Sequence, residues 1–274
     1  MSQAPPRWLA GISGWLLIPI FFLGRWIDVG AARLDTPERE PEGLALILTG
    51  IQGGSFLEQQ VALGLADAGF AGRVTIIDWT TGWLHRMANH MRNQERHERA
   101  AKGCATHLME FHEKFPAAPI YLLGYSGGGA VALHVLELLP AGEEAILEAV
   151  ALLAPACSPN FPAAPLADRT RHGLWNYYSP CDRMILGLVT RVIGTTDGVH
   201  GRAAGSTGFP EMGNSEMGSA TSQAECGASG TFQQRSELGR WFRQYHYSGH
   251  FGYANRVWVR ETLAQDLSIP RRRA

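Results

Sequence analysis

The sequence predicts an α/β fold, in which helices flank a mainly parallel β-sheet and a hydrophobic helix precedes the domain. Three observations lead to this prediction. Short apolar runs that are typical of strands buried on both faces alternate with longer segments of helical spacing. One such run enters a helix through a glycine-rich turn that carries a serine. The chain of 274 residues is also long enough for one large domain with a buried core.

Composition excludes several classes of function. The 24 basic and 25 acidic residues give a formal net charge of -1, so there is no electrostatic reason to expect a nucleic-acid partner. The four cysteines (Cys104, Cys157, Cys181 and Cys226) are far apart and form no C-x-x-C pattern. A zinc site or a redox pair is therefore not expected, the pattern neither requires nor excludes a disulfide, and we predict no cofactor.

Residues 1–34 form a separate hydrophobic segment. The stretch from Trp8 to Gly24 contains no charged residue, and Arg7 and Arg25 bracket it. Its length is near the lower limit for a membrane-spanning helix. We expect a single-pass anchor that holds the protein in the membrane, with the amino terminus in the cytoplasm. Two alternatives stay open: a cleaved signal peptide, which would make the protein secreted or periplasmic, and an apolar helix docked on the domain or lying in the membrane surface.

Residues 35–43 are polar and contain two prolines, so we expect a linker before a catalytic domain at 44–274. The domain alternates strands with helices, which favours βαβ units and a parallel sheet. The predicted strands are Leu44–Leu48, Gly72–Asp78, Ile120–Leu123, Ala149–Leu153 and Leu174–Tyr178. The predicted helices are Phe56–Ala68, His85–Phe115, Ala130–Leu139 and Asn255–Leu267.

Residues 199–230 interrupt this alternation. They are rich in glycine, serine and alanine and carry few large apolar side chains. Such a segment cannot bury enough surface to fold alone, so we expect a mobile excursion over the edge of the sheet. The aromatic stretch 241–247 is a candidate for the last strand.

The turn after the third strand carries a serine in the pattern G-x-S-x-G, from Gly124 to Gly128. A serine on a tight turn between strand and helix needs small neighbours because its backbone angles are strained. The turn lifts the hydroxyl of Ser126 clear of the sheet, and the amide groups of the following helix point towards charge that develops nearby. The alternative is a glycine-rich turn that only packs closely.

A serine nucleophile needs a histidine base that is oriented by a carboxylate. At the carboxyl ends of later strands we expect an acid and then a histidine, in that order. Asp182 follows the fifth strand and is the best candidate, although an aspartate there could simply cap a helix; Asp168 and Asp197 are less well placed. His250 lies in a glycine-flanked loop near the end of the chain, and His246 is its rival.

The oxyanion hole needs two backbone N–H donors. Gly127 follows the nucleophile and provides one of them. The other is expected from the loop after the first strand, where Ile51 is the best candidate and the side chain of Gln52 could add a donor. The glycines of this loop would alternatively serve only to make a tight turn.

These pieces together resemble the α/β-hydrolase fold superfamily over residues 44–267. The resemblance implies a serine hydrolase that cleaves a carboxylic ester or thioester through a Ser126–His250–Asp182 triad and an acyl-enzyme, with a hydrophobic or uncharged small-molecule substrate. The amino-terminal strands usual in that superfamily cannot be identified in this sequence, so we expect a sheet with fewer strands. Two alternatives stay open: a non-catalytic carrier of an apolar ligand, and an acyltransferase that uses the same triad.

Overall fold

The protein is built around a seven-stranded sheet in the order β2-β1-β3-β4-β5-β7-β6. The computed structural model describes residues 5–81, 87–182, 190–210, 222–224, 230–236, 245–246 and 249–269. The strands are β1 (Leu44–Leu48), β2 (Arg73–Ile77), β3 (Ile120–Tyr125), β4 (Ala149–Leu153), β5 (Leu174–Tyr178), β6 (Ser222–Ala224) and β7 (Phe232–Ser236). All neighbouring strands pair in parallel except β6, which is antiparallel to β7 at the edge. The predicted α/β fold with a mainly parallel sheet is confirmed.

The central strands agree closely with the apolar runs that predict them. The predicted bounds of β1, β4 and β5 are confirmed, and β3 continues two residues further, to Tyr125. Strand β7 is not predicted from the sequence because its residues, F-Q-Q-R-S, are mostly polar. The candidate last strand at 241–247 falls largely outside the described residues.

Helices cover both faces of the sheet. They are α1 (Arg7–Leu16), α2 (Phe56–Ala68), α3 (Met87–Arg92), α4 (Gln94–Lys114), α5 (Gly127–Glu137), α6 (Thr190–Ile193) and α7 (Ala204–Thr207). The C-terminal helix consists of an α-helical turn Arg256–Trp258, a π-helical turn Val259–Leu263 and a second α-helical turn Ala264–Asp266. The described part of the segment 85–115 is largely helical, as the sequence predicts. It forms two helices, because the side chain of Asn93 accepts a hydrogen bond from the Arg96 N–H and starts α4 as a separate helix.

Part of the glycine-rich segment is packed on the domain. Helix α7 lies against the loop after β4, where the Gly205 N–H donates to the Pro155 carbonyl (2.8 Å) and the Ala204 N–H to the Cys157 carbonyl (2.9 Å). Ala203 and Ala204 are buried. Residues 199–210 therefore depart from the expected mobile excursion, because small side chains allow this close backbone contact. Residues 211–221 and 225–229 lie outside the described residues.

The N-terminal segment is docked on the domain. Helix α1 contacts the C-terminal helix, and a 3₁₀-helix, Ile18–Arg25, packs on α2. The Asn255 side chain donates to the Gly11 carbonyl (3.1 Å), and the Gln59 side chain donates to the Gly24 carbonyl (2.7 Å). Within the described residues no single helix is long and apolar enough to cross a membrane; α1 and the 3₁₀-helix meet that requirement only as a pair, bent by 81°.

The polar segment expected to be a linker is also held by the domain. It forms a 3₁₀-helix, Pro37–Glu42, beside β2. Arg73 of β2 makes ion pairs with Asp35 (2.6 Å) and Glu40 (2.8 Å), and Lys114 makes another with Glu40 (2.8 Å). These contacts order a segment whose prolines and charges alone suggest a free connection.

Candidate active site

Ser126 lies at the junction of β3 and α5 in a strained backbone conformation. Its φ of 53° and ψ of -115° are rare for a residue with a side chain and cost about 1–3 kcal/mol. Hydrogen bonds of both backbone groups of Ser126 stabilise this conformation: the Ser126 N–H donates to the Leu153 carbonyl (2.8 Å), and the Ala156 N–H donates to the Ser126 carbonyl (3.0 Å). The turn therefore tolerates little movement.

Glycine is required on either side of this serine. An ideal Cβ on Gly124 would lie 2.5 Å from the Gly128 carbonyl oxygen, and one on Gly128 would lie 2.4 Å from the Leu48 carbonyl oxygen. Both distances are too short for any side chain. The glycines of G-x-S-x-G thus let β1, β3 and α5 approach closely at this point, as the sequence predicts.

The structure brings Asp182 and His250 together. The Nδ1 atom of His250 lies 2.8 Å from Oδ2 of Asp182, and both side chains are buried. A carboxylate accepts, so Nδ1 donates in this hydrogen bond, and Nε2 takes no part in it. Asp182 follows β5 in a turn closed by its own N–H, which donates to the Ser179 carbonyl (2.9 Å).

This pair lies beside the serine turn. The hydroxyl of Tyr125, the residue before Ser126, donates to the carbonyl of His250 (2.9 Å), and the two rings are 5.3 Å apart. Burial raises the pKa of Tyr125 well above its usual value, so its hydroxyl keeps the proton that it donates. The neighbour of Ser126 thus contacts the loop that carries the His250–Asp182 pair, at the carboxyl end of the sheet.

His246, the rival of His250, lies in an apolar environment. Its ring is 1% exposed and packs against Tyr253 (4.6 Å between centroids) and Trp258 (5.4 Å). Burial lowers its pKa to about 3, which keeps the ring neutral. Its Nε2 finds no hydrogen-bond partner in the part of the chain that the structure describes.

The alternative acids occupy other positions. Asp197 accepts hydrogen bonds from the Ser158 N–H (2.8 Å) and the Thr195 hydroxyl (2.5 Å), so its carboxylate stabilises a turn. Asp168 lies in the 3₁₀-helix Ala164–Arg169. Of the three aspartates that the sequence suggests, only Asp182 is seen to pair with a histidine in the described residues.

The two predicted oxyanion donors are neighbours. An ideal Cβ on Gly127 would lie 2.5 Å from Cγ2 of Ile51 and 3.4 Å from its backbone nitrogen. Among the described residues, neither the Ile51 N–H nor the Gly127 N–H donates a hydrogen bond to a protein acceptor. As far as the described residues go, both donors are thus available to a ligand atom.

Glu58 holds the loop that carries Ile51, a role that is not among the expectations from the sequence. Its Oε1 accepts from the Gly50 N–H (3.2 Å) and from the Gln52 side chain (2.8 Å), and its Oε2 accepts from the Ser55 hydroxyl (2.5 Å). The Gln52 amide is thus engaged with Glu58. Complete burial raises the pKa of Glu58 to about 7, despite these donors. A glutamate three residues after Ser55 is the capping-box signal that could have drawn attention to it.

Two aromatic side chains hold the same loop from the side of β2 and α3. Trp79 donates its Nε1–H to the Thr49 carbonyl (2.6 Å). His90 donates from Nδ1 to the Ile51 carbonyl (2.9 Å), because its Nε2 accepts from the Thr81 N–H (3.2 Å). Burial lowers the pKa of His90 and keeps this tautomer neutral. The structure buries the ring of His90 at the site.

No group of three or more His, Cys, Asp or Glu side chains suited to a metal ion occurs in the described part of the chain.

Comparison with known proteins shows little similarity in sequence: no protein-family model and no curated protein matches the chain. A match among solved structures is a crystal structure described as a predicted CIB-like hydrolase from Thermoplasma acidophilum, at 12% identity and a TM-score of 0.40, covering 85% of this chain and 90% of that one.

Proposed function

We propose that the protein is a serine hydrolase that cleaves a carboxylic ester or thioester through an acyl-enzyme. One observation carries the proposal: the strained strand-to-helix turn that holds Ser126 contacts, through Tyr125, the loop of a buried histidine–carboxylate pair. Backbone strain that the surroundings enforce is a sign of a functional position, and an oriented histidine is what a serine hydroxyl needs to act as a nucleophile. Turns that serve packing alone do not require this pair.

In the proposed reaction, Ser126 Oγ attacks the acyl carbon while Nε2 of His250 accepts its proton. Asp182 stabilises the imidazolium that forms. The Ile51 and Gly127 N–H groups donate to the oxyanion of the tetrahedral intermediate. The intermediate collapses, the leaving alcohol or thiol takes the proton from His250, and the acyl group stays on Ser126. Water, activated by the same histidine, then releases the acid.

The surroundings favour a hydrophobic or uncharged acyl group. Ile51 and Trp79 contact the position above Gly127, and Phe251 follows His250 directly. Phe251 packs in turn on Phe21 of the N-terminal segment, at 5.7 Å between ring centroids. Apolar side chains of this kind form a site that binds a substrate mainly by excluding water.

The test compares ester hydrolysis by the wild type and Ser126→Ala on p-nitrophenyl esters and thioesters of increasing chain length. We expect Ser126→Ala to lower kcat/KM by several orders of magnitude, as loss of a triad nucleophile does. Ser13→Ala, which removes a hydroxyl from α1, is the matched control and should behave as wild type. Wild-type turnover in Ser126→Ala would refute the assignment, and an added alcohol that captures the acyl group in preference to water would favour an acyltransferase.

We also propose that the N-terminal segment associates with a membrane surface. Its outward side exposes many large apolar groups: Trp8, Leu9, Ile12, Leu16, Ile20, Phe22, Trp26 and Ile27. Tryptophan at such a face is typical of the lipid–water interface. Flotation with lipid vesicles should recover the wild type, and much less of a variant with serine at positions 8, 16 and 26. A variant with serine at Met109 and Leu138, also exposed, should float as wild type does. Equal recovery of all three proteins would contradict this proposal.

A further inference from the structure

A cavity of about 330 Å³ opens between α4 and the β2 side of the sheet, and the proposed reaction does not use it. Its floor is apolar and consists of Leu46, Ile77, Trp79, Ala100 and Cys104. Its rim is lined by arginine, histidine and glycine residues, namely Arg96, Arg99, Gly103 and His107. The volume lies in the range of small-molecule sites, and an apolar floor with a few polar groups at the rim is their usual composition.

The two arginines of the rim have no acidic partner in the described part of the chain. The ion pairs seen there involve other arginines, and no side-chain hydrogen bond of Arg96 or Arg99 is seen in that part of the chain. They stand three residues apart on α4, so both lie on one face of the helix. Guanidinium groups so placed can bind a carboxylate or a phosphate with two hydrogen bonds each.

Gly103 indicates that this face of α4 is kept open. Glycine inside a helix is destabilising relative to alanine, and close packing is the common reason for tolerating it. Here an ideal Cβ would meet no atom within 4 Å, so no neighbour in the described structure requires a glycine. A side chain at this position would instead project from the rim of the cavity. The glycine therefore leaves space that a ligand can occupy.

Trp79 separates this cavity from the candidate active site. Its Cζ2 atom lies 3.1 Å from an ideal Cβ on Gly127, and its indole N–H donates to the Thr49 carbonyl of the oxyanion loop. Trp79 also lines the cavity. A ligand in the cavity would thus contact a side chain that positions the oxyanion donors.

We infer that this cavity binds an amphipathic anion, a molecule with an apolar chain and one carboxylate or phosphate head. The chain would lie on Leu46, Ile77 and Trp79, and the head would pair with Arg96 and Arg99 at the rim. A neutral lipid would leave the guanidinium groups without a partner, and a small inorganic anion would leave the apolar floor uncovered. The inference does not depend on the reaction at Ser126, since it needs none of the groups that are proposed to react there.

Calorimetric titration of the full-length protein with decanoate and with decyl phosphate, each below its micelle concentration, tests the inference. We expect one site per chain. Whichever of the two ligands binds more tightly identifies the head group. Decyltrimethylammonium, which has the same chain and the opposite charge, should not bind there. Protein whose active serine has first been blocked with a fluorophosphonate should bind as before, which separates this cavity from the acyl site.

Variants locate the binding. Gly103→Phe should fill the cavity and weaken binding at least tenfold, and Arg96→Gln with Arg99→Gln should do the same by removing the charge. The matched controls are Thr106→Phe and Lys102→Gln, which make similar changes at exposed positions of α4 outside this cavity. If Gly103→Phe does not fold, the double arginine variant decides. Absence of binding, or binding that these variants leave unchanged, would overturn the inference.

Discussion

The two sides of Ser126 are built in different ways. On one side, two side chains, Asp182 and His250, come from distant parts of the chain and meet in one buried hydrogen bond. On the other side, the proposed donors are backbone groups, and the loop that carries Ile51 is held by Glu58, Trp79 and His90. The pair on the first side depends on two side chains, whereas the position of the backbone donors on the second side depends on all the contacts that hold the loop. Substitutions should therefore abolish activity on the first side and reduce it by degrees on the second.

The largest effect is expected from the two histidines that lie four residues apart. His250→Ala should lower kcat/KM by roughly 10⁴-fold or more, because a triad histidine and its serine act as a unit. His246→Phe should keep nearly full activity, since it preserves the ring packing against Tyr253 and Trp258 and removes a buried nitrogen for which the described residues offer no partner. Steady-state kinetics on one ester measures both. Loss of activity in His246→Phe with retention in His250→Ala would assign the role of general base to His246.

The next effect concerns the two aspartates. Asp182→Asn should lower kcat by roughly 10³–10⁴-fold at neutral pH, because an amide that donates to Nδ1 selects the wrong tautomer of His250. Asp197→Asn changes a turn carboxylate that makes no contact with His250 in the described structure, so its activity should stay close to wild type. Equal activity of Asp182→Asn and wild type would show that the His250 pair has only a structural role.

The smallest effect is expected from Glu58, and it appears in stability. Because its pKa rises from 4.5 to about 7 on folding, the folded protein binds the extra proton between these values. The free energy of unfolding that this group contributes is therefore fully present below pH 4.5 and falls by about 3 kcal/mol as the pH rises to about 7. Glu58→Gln, which keeps an acceptor for the Gly50 N–H, should lack this fall.

Urea unfolding at a series of pH values measures the difference between Glu58→Gln and wild type. The variant should gain stability relative to wild type from pH 4.5 to 7, and the difference should then stay constant. Glu98→Gln, on the exposed side of α4, is the control and should follow the wild type throughout. Parallel curves for Glu58→Gln and wild type would show that Glu58 is not protonated in this range.

How much of the site the sequence predicts depends on how local each requirement is. The turn at Ser126 is visible because the strand, the glycines and the helix adjoin one another. Asp182 can be found because it follows a clear strand. The choice between His246 and His250 depends on which ring reaches a carboxylate, which is a tertiary contact. Glu58 and His90 read as ordinary helix residues, since periodicity cannot show which polar side chain lies beneath a loop.

The elements of the fold also differ in how far the local sequence predicts them. Strands β1, β4 and β5 are buried on both faces, so their apolar runs mark them directly. The edge pair β6 and β7 lacks such runs, and its position depends on pairing with β5. The packing of the N-terminal segment was equally hidden, because an uncharged helix that docks on a domain and one that enters a membrane have similar compositions.

The central claim is that Ser126 is the nucleophile, and mapping the site of a covalent fluorophosphonate adduct tests it most directly. The wild type should gain the mass of one adduct, and fragmentation of the modified peptide should place it on Ser126. His250→Ala should react far more slowly, and Ser126→Ala should not react. An adduct on another residue, or ester hydrolysis by a protein whose Ser126 stays unmodified, would contradict the account.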